Sequence, residues 1–201
     1  PSTLLRGETT PGGRSDRMRL KDDLADLVDL ISFNQYVGWY DGESEKCDRV
    51  NWTFDLEKPV FISEFGGGAG YGRHGARTER FTEEYMEDLY ERSVNMFRRM
   101  PGLAGTTPWV LKDFRSPRRQ MVGIQDDFNR KGLISDQGGK KKAYFVMQRW
   151  YDELENGIGS AILPENTLRR PVIAGRFFSV PVAEFSRNFV SCRMDRETEY
   201  A

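Results

Sequence analysis

Residues 28–34 (VDLISFN) and 59–68 (PVFISEFGGG) are compact apolar runs that break off into polar or glycine-rich sequence. Such runs fit strands buried on both faces, as in a parallel sheet, better than the alternating strands of a half-solvated antiparallel one. Beyond them the period changes. Over residues 78–100, Phe81, Tyr85, Leu89, Met96 and Met100 keep roughly to one helical face and charges fill the other; Thr78 or Thr82 can cap the start, and Pro101 with Gly102 stops the helix. Residues 103–114 (LAGTTPWVLKDF) read as a third strand, although Pro108 has no N–H to give a ladder. A long loop over 115–127 follows. A second helix over 140–154 then places Ala143, Tyr144, Met147, Trp150 and Tyr151 on a common side. Strand, loop and helix repeating at this spacing predict βαβ units and an α/β fold.

The remainder is less patterned. Residues 1–19, rich in Gly, Pro, Ser, Thr and Arg, read as loop or linker, and 20–27 as a short amphipathic lead-in. Residues 41–58 form a polar connection. After residue 155 only a strand pair around 171–185 suggests itself, and no internal repeat is present.

Charge excludes several partners. With 30 Lys plus Arg against 31 Asp plus Glu, the formal charge is −1, which supplies no field for nucleic acid or an anionic membrane, and neither is expected as a partner. No apolar run approaches the roughly 18 residues of a membrane span, and the first residues lack the apolar core of a signal peptide. Cys47 and Cys192 lie far apart, and His74 is the sole histidine. Zinc, Ser-His and Cys-His chemistry therefore has little to be built from, and no metal or cofactor is expected. Cys192 is expected to be a free thiol.

In parallel α/β folds the loops after the strands share one face, where active sites gather. Three strand ends here carry distinctive groups: Asn34, Tyr36, Trp39 and Tyr40 after the first, Glu64 after the second, and Trp109, Lys112 and Asp113 around the third. One carboxylate, several hydroxyl and amide groups, and aromatic planes suit a sugar ring, whose hydroxyls need hydrogen bonds and whose apolar face needs cover. A carbohydrate is the expected ligand.

The segments NQYVGWY (34–40), FISEFG (61–66), PWVLKDF (108–114) and NRKGL (129–133), in this order, closely resemble the last strands of the catalytic barrel of glycoside hydrolase family 2. The first and last look most like those of β-glucuronidases. The likeness runs over about residues 21–154. It implies the carboxyl-terminal part of a (β/α)8 TIM barrel, about strands six to eight, with residues 1–20 a linker or upstream remnant and 155–201 a tail of unassigned structure. It also implies a retaining exo-β-glycosidase, with Glu64 matching the nucleophile. Asn34, Tyr36 and Tyr40 match positions lining the sugar pocket, Trp109 its aromatic floor, and Asn129 with Lys131 the pair that holds a uronic acid carboxylate. An ammonium and an amide would give that carboxylate a charge-assisted contact. Asp113 and Arg115 are expected to pair beneath the site.

The sequence also departs from the family pattern. Bacterial β-glucuronidases carry an Arg four residues before the Asn-x-Lys pair, where this chain has Gln125. The family's acid/base is a Glu preceded by Asn, and none of the asparagines here is followed by Glu: the next residues are Gln35, Trp52, Met96, Arg130, Gly157, Thr167 and Phe189. A barrel of this type needs about 250 residues. The expectation is therefore a carboxyl-terminal fragment that is inactive alone, with homo-oligomerisation of a longer parent left open. A β-galactosidase-like specificity, a non-catalytic carbohydrate-binding remnant and a generic α/β domain are the alternatives. The generic domain would leave Glu64, Trp109 and Lys131 far apart.

Overall fold

The computed structural model describes residues 5–10, 13–20, 23–54 and 57–156. At its centre is a three-stranded parallel sheet, in the order β3 (Ile31–Asn34), β5 (Val60–Glu64), β6 (Leu103–Thr106). Ile31, Phe33, Val60 and Ile62 are buried to 5% exposure or less, so the two compact runs do form the core strands. Helix α2 (Glu83–Phe97) connects β5 to β6, and α3 (Lys142–Glu155) packs beside it. The two helices begin two to five residues later than their sequence periods suggest, because the backbone is still extended at Thr82 and Lys141 just ahead of them.

Thr82 caps α2 by accepting the Tyr85 N–H at 3.1 Å, and Glu83 and Glu84 in the first turn complement the helix dipole. Glu83 is buried, and its carboxylate accepts the Gly72 N–H at 2.7 Å and the Lys142 N–H at 2.9 Å, tying a loop and the start of α3 to α2. The interior side of α2 meets the sheet through Phe65, whose ring lies 4.8 Å from Phe97 and 5.3 Å from Tyr90. Phe97 in turn stacks on Trp150 of α3 at 6.0 Å. Burying one such ring is worth about 2–3 kcal/mol. An exposed ion pair between the same helices, Arg98 with Glu153, is worth about 1 kcal/mol at most. Apolar packing, not surface charge, joins them.

Several segments differ from their sequence reading. Residues 5–10 and 13–20, read as loop or linker, form an antiparallel pair, β1 (Leu5–Thr10) with β2 (Gly13–Leu20). Its second strand runs parallel to β4 (Asn51–Phe54), with Met18 opposite Trp52, inside what reads as a polar connection. Met18 and Leu20 are buried while Arg17 and Arg19 are exposed, an alternation too short to stand out among so many charges. The same connection contains a single helical turn, α1 (Lys46–Arg49). The third strand is the second correction: only Leu103–Thr106 pairs with β5, and past Pro108 the Trp109 N–H turns to the Phe65 carbonyl at 2.9 Å. Finally, the loop 115–127 is closed by a short antiparallel pair, β7 (Phe114–Arg115) with β8 (Phe128–Asn129). The strand pair read at 171–185 and Cys192 lie outside the described residues; Cys47 is buried with a free thiol.

Where α2 meets α3, Glu84 has an ordinary carboxylate's burial cost to overcome. Hydrogen bonds from Lys142, His74 and the Gly75 and Glu84 N–H groups outweigh it and hold the group down at about 2. A depressed folded-state value adds stability that is present above the usual carboxylate range and is lost as pH falls toward about 2. Glu84→Gln should therefore flatten the fall in Tm between pH 5 and pH 2, as read by thermal melts across that range. An unchanged acid limb would show that the contact adds nothing to stability.

Candidate active site

Parallel pairing delivers the site residues. Past a register irregularity after Phe33, Asn34 stands opposite Glu64 at the carboxyl ends of adjacent strands. The Gln35 N–H donates to the Glu64 carbonyl at 2.9 Å, and the Ser63 hydroxyl donates to Asn34 Oδ1 at 2.6 Å. The chain after β3 then doubles back: the N–H groups of Trp39 and Tyr40 both reach the Tyr36 carbonyl at 3.0 Å. Gly38 makes the turn at φ +84°, where a Cβ would sit 2.4 Å from Leu89 Cδ1. This loop brings the Tyr36 and Tyr40 rings to 5.0 Å.

The Tyr36 hydroxyl donates to Glu64 Oε2 at 2.9 Å. Burial, then the charge and hydrogen bond of Glu64, push the Tyr36 phenol far up, so it remains a donor to the carboxylate throughout the ordinary pH range. Arginine pairing, the competing role for a strand-end carboxylate, is not what Glu64 shows: its hydrogen-bond partner among the described residues is this phenol.

Lys131, 5% exposed, approaches from the other side. Its Nζ donates to the Tyr40 hydroxyl at 2.5 Å and lies 4.6, 5.6 and 5.7 Å from the ring centres of Tyr40, Trp39 and Tyr36. Burial lowers the Lys131 pKa, while Tyr40 and the nearby Glu64 carboxylate work to sustain the charge. At Tyr40 burial acts upward, but the Lys131 charge and hydrogen bond, with Arg119 beside them, bring the phenol below its ordinary value. Tyr40 is 61% exposed as a residue, so it is a rim rather than a wall. Asn129 is buried and its Oδ1 accepts the Lys131 N–H at 3.1 Å, bracing the turn that carries the lysine.

Trp109 is half-buried and sits edge-on to Phe114 at 6.5 Å. Its main chain links the site's parts: Trp109 N–H bonds the residue after Glu64, and Val110 N–H bonds the Lys131 carbonyl at 3.0 Å. The sequence-selected residues Asn34, Tyr36, Glu64 and Lys131 thus gather at the strand ends, with Tyr40 at the edge, Asn129 bracing the Lys131 main chain and Trp109 joined through its own main chain. Lys112 is exposed and stands opposite Ile134 in a main-chain bridge.

Asp113 does not pair with Arg115, which is exposed. Lys141 takes it instead, with Nζ at 2.8 and 2.9 Å from the two carboxylate oxygens. Sequence reasoning also passes over Arg80, whose guanidinium lies 5.3 Å from the Trp39 ring centre and donates to the Trp39 carbonyl at 2.6 Å and to Glu43 at 3.0 and 3.2 Å. An arginine placed just before a helix gives no local hint of such reach. A run of three lysines at a helix start does give one, since cations there oppose the helix dipole.

Comparison with known proteins finds relatives that share this region. No protein-family profile matches the chain. It is 32% identical over 139 residues to a β-glucuronidase from Paenibacillus borealis, covering 65% of this chain and 23% of that protein. It is also 30% identical over 124 residues to one from Streptococcus agalactiae, covering 57% of this chain and 20% of that protein. Among solved structures, the Faecalibacterium prausnitzii β-glucuronidase superposes with a TM-score of 0.52 at 25% identity, over 68% of this chain and 24% of that one. A Bifidobacterium dentium β-glucuronidase complexed with coumarin-3-O-glucuronide gives 0.50 at 27%, over 67% and 23%. The chain therefore spans about a fifth to a quarter of the length of these relatives. Over about two thirds of its own length it is similar to part of these β-glucuronidases.

Proposed function

We propose that this chain carries the nucleophile side of a retaining β-glycosidase site, and that its substrates are β-glucuronides. The three parallel strands are read as about strands six to eight of a (β/α)8 barrel. Glu64 attacks the anomeric carbon through one carboxylate oxygen while Tyr36 holds the other. The bond from that carbon to the aglycone oxygen breaks, the oxygen takes a proton from a second carboxylic acid, and water later hydrolyses the glycosyl ester. Asn34 and Trp109 contact the sugar, and Lys131 with Asn129 grips its carboxylate. The second acid is not supplied by an Asn-Glu pair among these 201 residues, so the chain alone is expected not to turn over ordinary glycosides.

The observation that carries this reading is the joining of Glu64 to Tyr36 and of Lys131 to Tyr40 on one strand-end face. A carboxylate nucleophile and a buried ammonium around adjacent phenols suit an anionic sugar better than a neutral one, because a neutral hexose would leave the ammonium without a charged partner. The test must not depend on the missing acid. A 2-deoxy-2-fluoro-β-D-glucuronyl fluoride loses fluoride without protonation, so attack by Glu64 would leave an ester visible by mass spectrometry. One adduct mapping to Glu64 supports the reading; no adduct, or one elsewhere, rejects it. Tyr36→Phe removes the hydrogen bond that aims the carboxylate and should slow labelling about tenfold, about the worth of one charged hydrogen bond.

A further inference from the structure

We propose that the buried Asp113–Lys141 pair is a positioning device that fixes the direction of Lys131, and through it the preference for an anionic sugar; this rests on the reading of Lys131 given above. Both side chains have no solvent exposure. All three Lys141 donors are used: two reach the Asp113 carboxylate at 2.8 and 2.9 Å, and the third reaches the Arg130 carbonyl at 3.0 Å. Asp113 Oδ1 also accepts the Gly132 N–H at 2.8 Å. The pair therefore grips the main chain on each side of Lys131, at residues 130 and 132.

The surroundings complete the grip. The Arg130 carbonyl also accepts the Ala69 N–H at 3.0 Å, and the Leu133 N–H donates to the Val110 carbonyl at 2.9 Å. Gly132 is pressed so closely that a Cβ would lie 2.2 Å from the Asp113 nitrogen. Arg130 itself is engaged elsewhere, 2.7 Å from Asp136, 3.6 Å from Asp113 and 4.4 Å from the Phe128 ring centre, while Lys131 meets the phenols.

Stability alone is a poor reason for such a pair. Desolvating two charges offsets most of their attraction, and apolar replacements of similar volume are often neutral or better. Lys141 also stands at the N-cap of α3, where it makes no capping bond and its charge opposes the helix dipole. What the pair does supply is direction: one ammonium and one carboxylate fix three successive residues, and the middle one carries the lysine of the site.

The test uses the 201-residue chain. Lys141→Met alone strands a buried carboxylate, so the working variant is the neutral pair Asp113→Asn with Lys141→Met. Its fold is checked by circular dichroism and thermal melting. Its Tyr40 ionisation is followed by NMR of ring-labelled tyrosine, with Tyr40→Phe assigning the signal. The groups facing that phenol are Lys131, Arg119 and Tyr36. A positioning role predicts that Tyr40 ionisation moves upward as Lys131 departs, and that labelling preference for glucuronyl over galactosyl fluoride falls about tenfold. A folded variant with an unmoved Tyr40 overturns the proposal. If the double variant does not fold, Asp113→Asn alone, which keeps an acceptor for the Gly132 N–H, gives the same reading: a smaller upward movement supports the proposal and none overturns it. Should Tyr40 move while neither sugar labels the unsubstituted chain, positioning stands and the glycosidase reading fails.

Discussion

Glu64→Gln is expected to abolish covalent capture of 2-fluoroglycosyl fluorides, lowering the labelling rate by on the order of 10⁴-fold or more. The amide is nearly the size of the carboxylate and can still accept the Tyr36 hydroxyl through its oxygen, so the strand end should not rearrange. It has no negative oxygen to form the ester. The expected loss is therefore chemical, and the melting temperature should move little, because Glu64 is only half-buried and, among the described residues, its carboxylate is held by the Tyr36 phenol rather than by an arginine. Labelling of the Gln variant at the rate of the unsubstituted chain would remove Glu64 from the reaction. If both the rate and the melting temperature collapse, Glu64 holds the strand end together as well, and the clean separation of chemistry from structure is wrong.

The strand ends were legible in the sequence for a physical reason. Buried parallel strands are short apolar runs, and the polar residue that ends each run must lie where the sheet ends, so VDLISFN and FISE announce Asn34 and Glu64 together. Tyr36 and Tyr40 follow from the turn after the strand. Long-range partners were not legible. That Asp113 takes Lys141, 28 residues on, rather than Arg115, two residues on, depends on the turn after Pro108, which faces the carboxylate inward while Arg115 lies on the exposed strand β7. The pair of β1 and β2 was hidden for another reason. Its apolar side is only Met18 and Leu20 among the described side chains, and the partner that buries them, β4, lies in a segment whose charges mask Trp52 and Phe54.

Lys131→Met should separate recognition of the sugar's charge from chemistry at its anomeric carbon. The thioether keeps an unbranched chain of similar length, so the space beneath Tyr36, Trp39 and Tyr40 stays filled while the ammonium is lost. A buried charge-assisted contact is worth about 2–4 kcal/mol, so labelling by the glucuronyl fluoride should fall about a hundredfold or more. The galactosyl fluoride has no carboxylate to lose a partner, and its rate should stay within about twofold. Tyr40 supplies an internal control, since its phenol lies below the ordinary value through the Lys131 charge and hydrogen bond acting against burial. Removing that cation must raise it. An equal fall on both sugars would mean that Lys131 shapes the pocket rather than reads the carboxylate. A selective fall with a raised Tyr40 would tie the preference to the same ammonium that the Asp113–Lys141 pair directs.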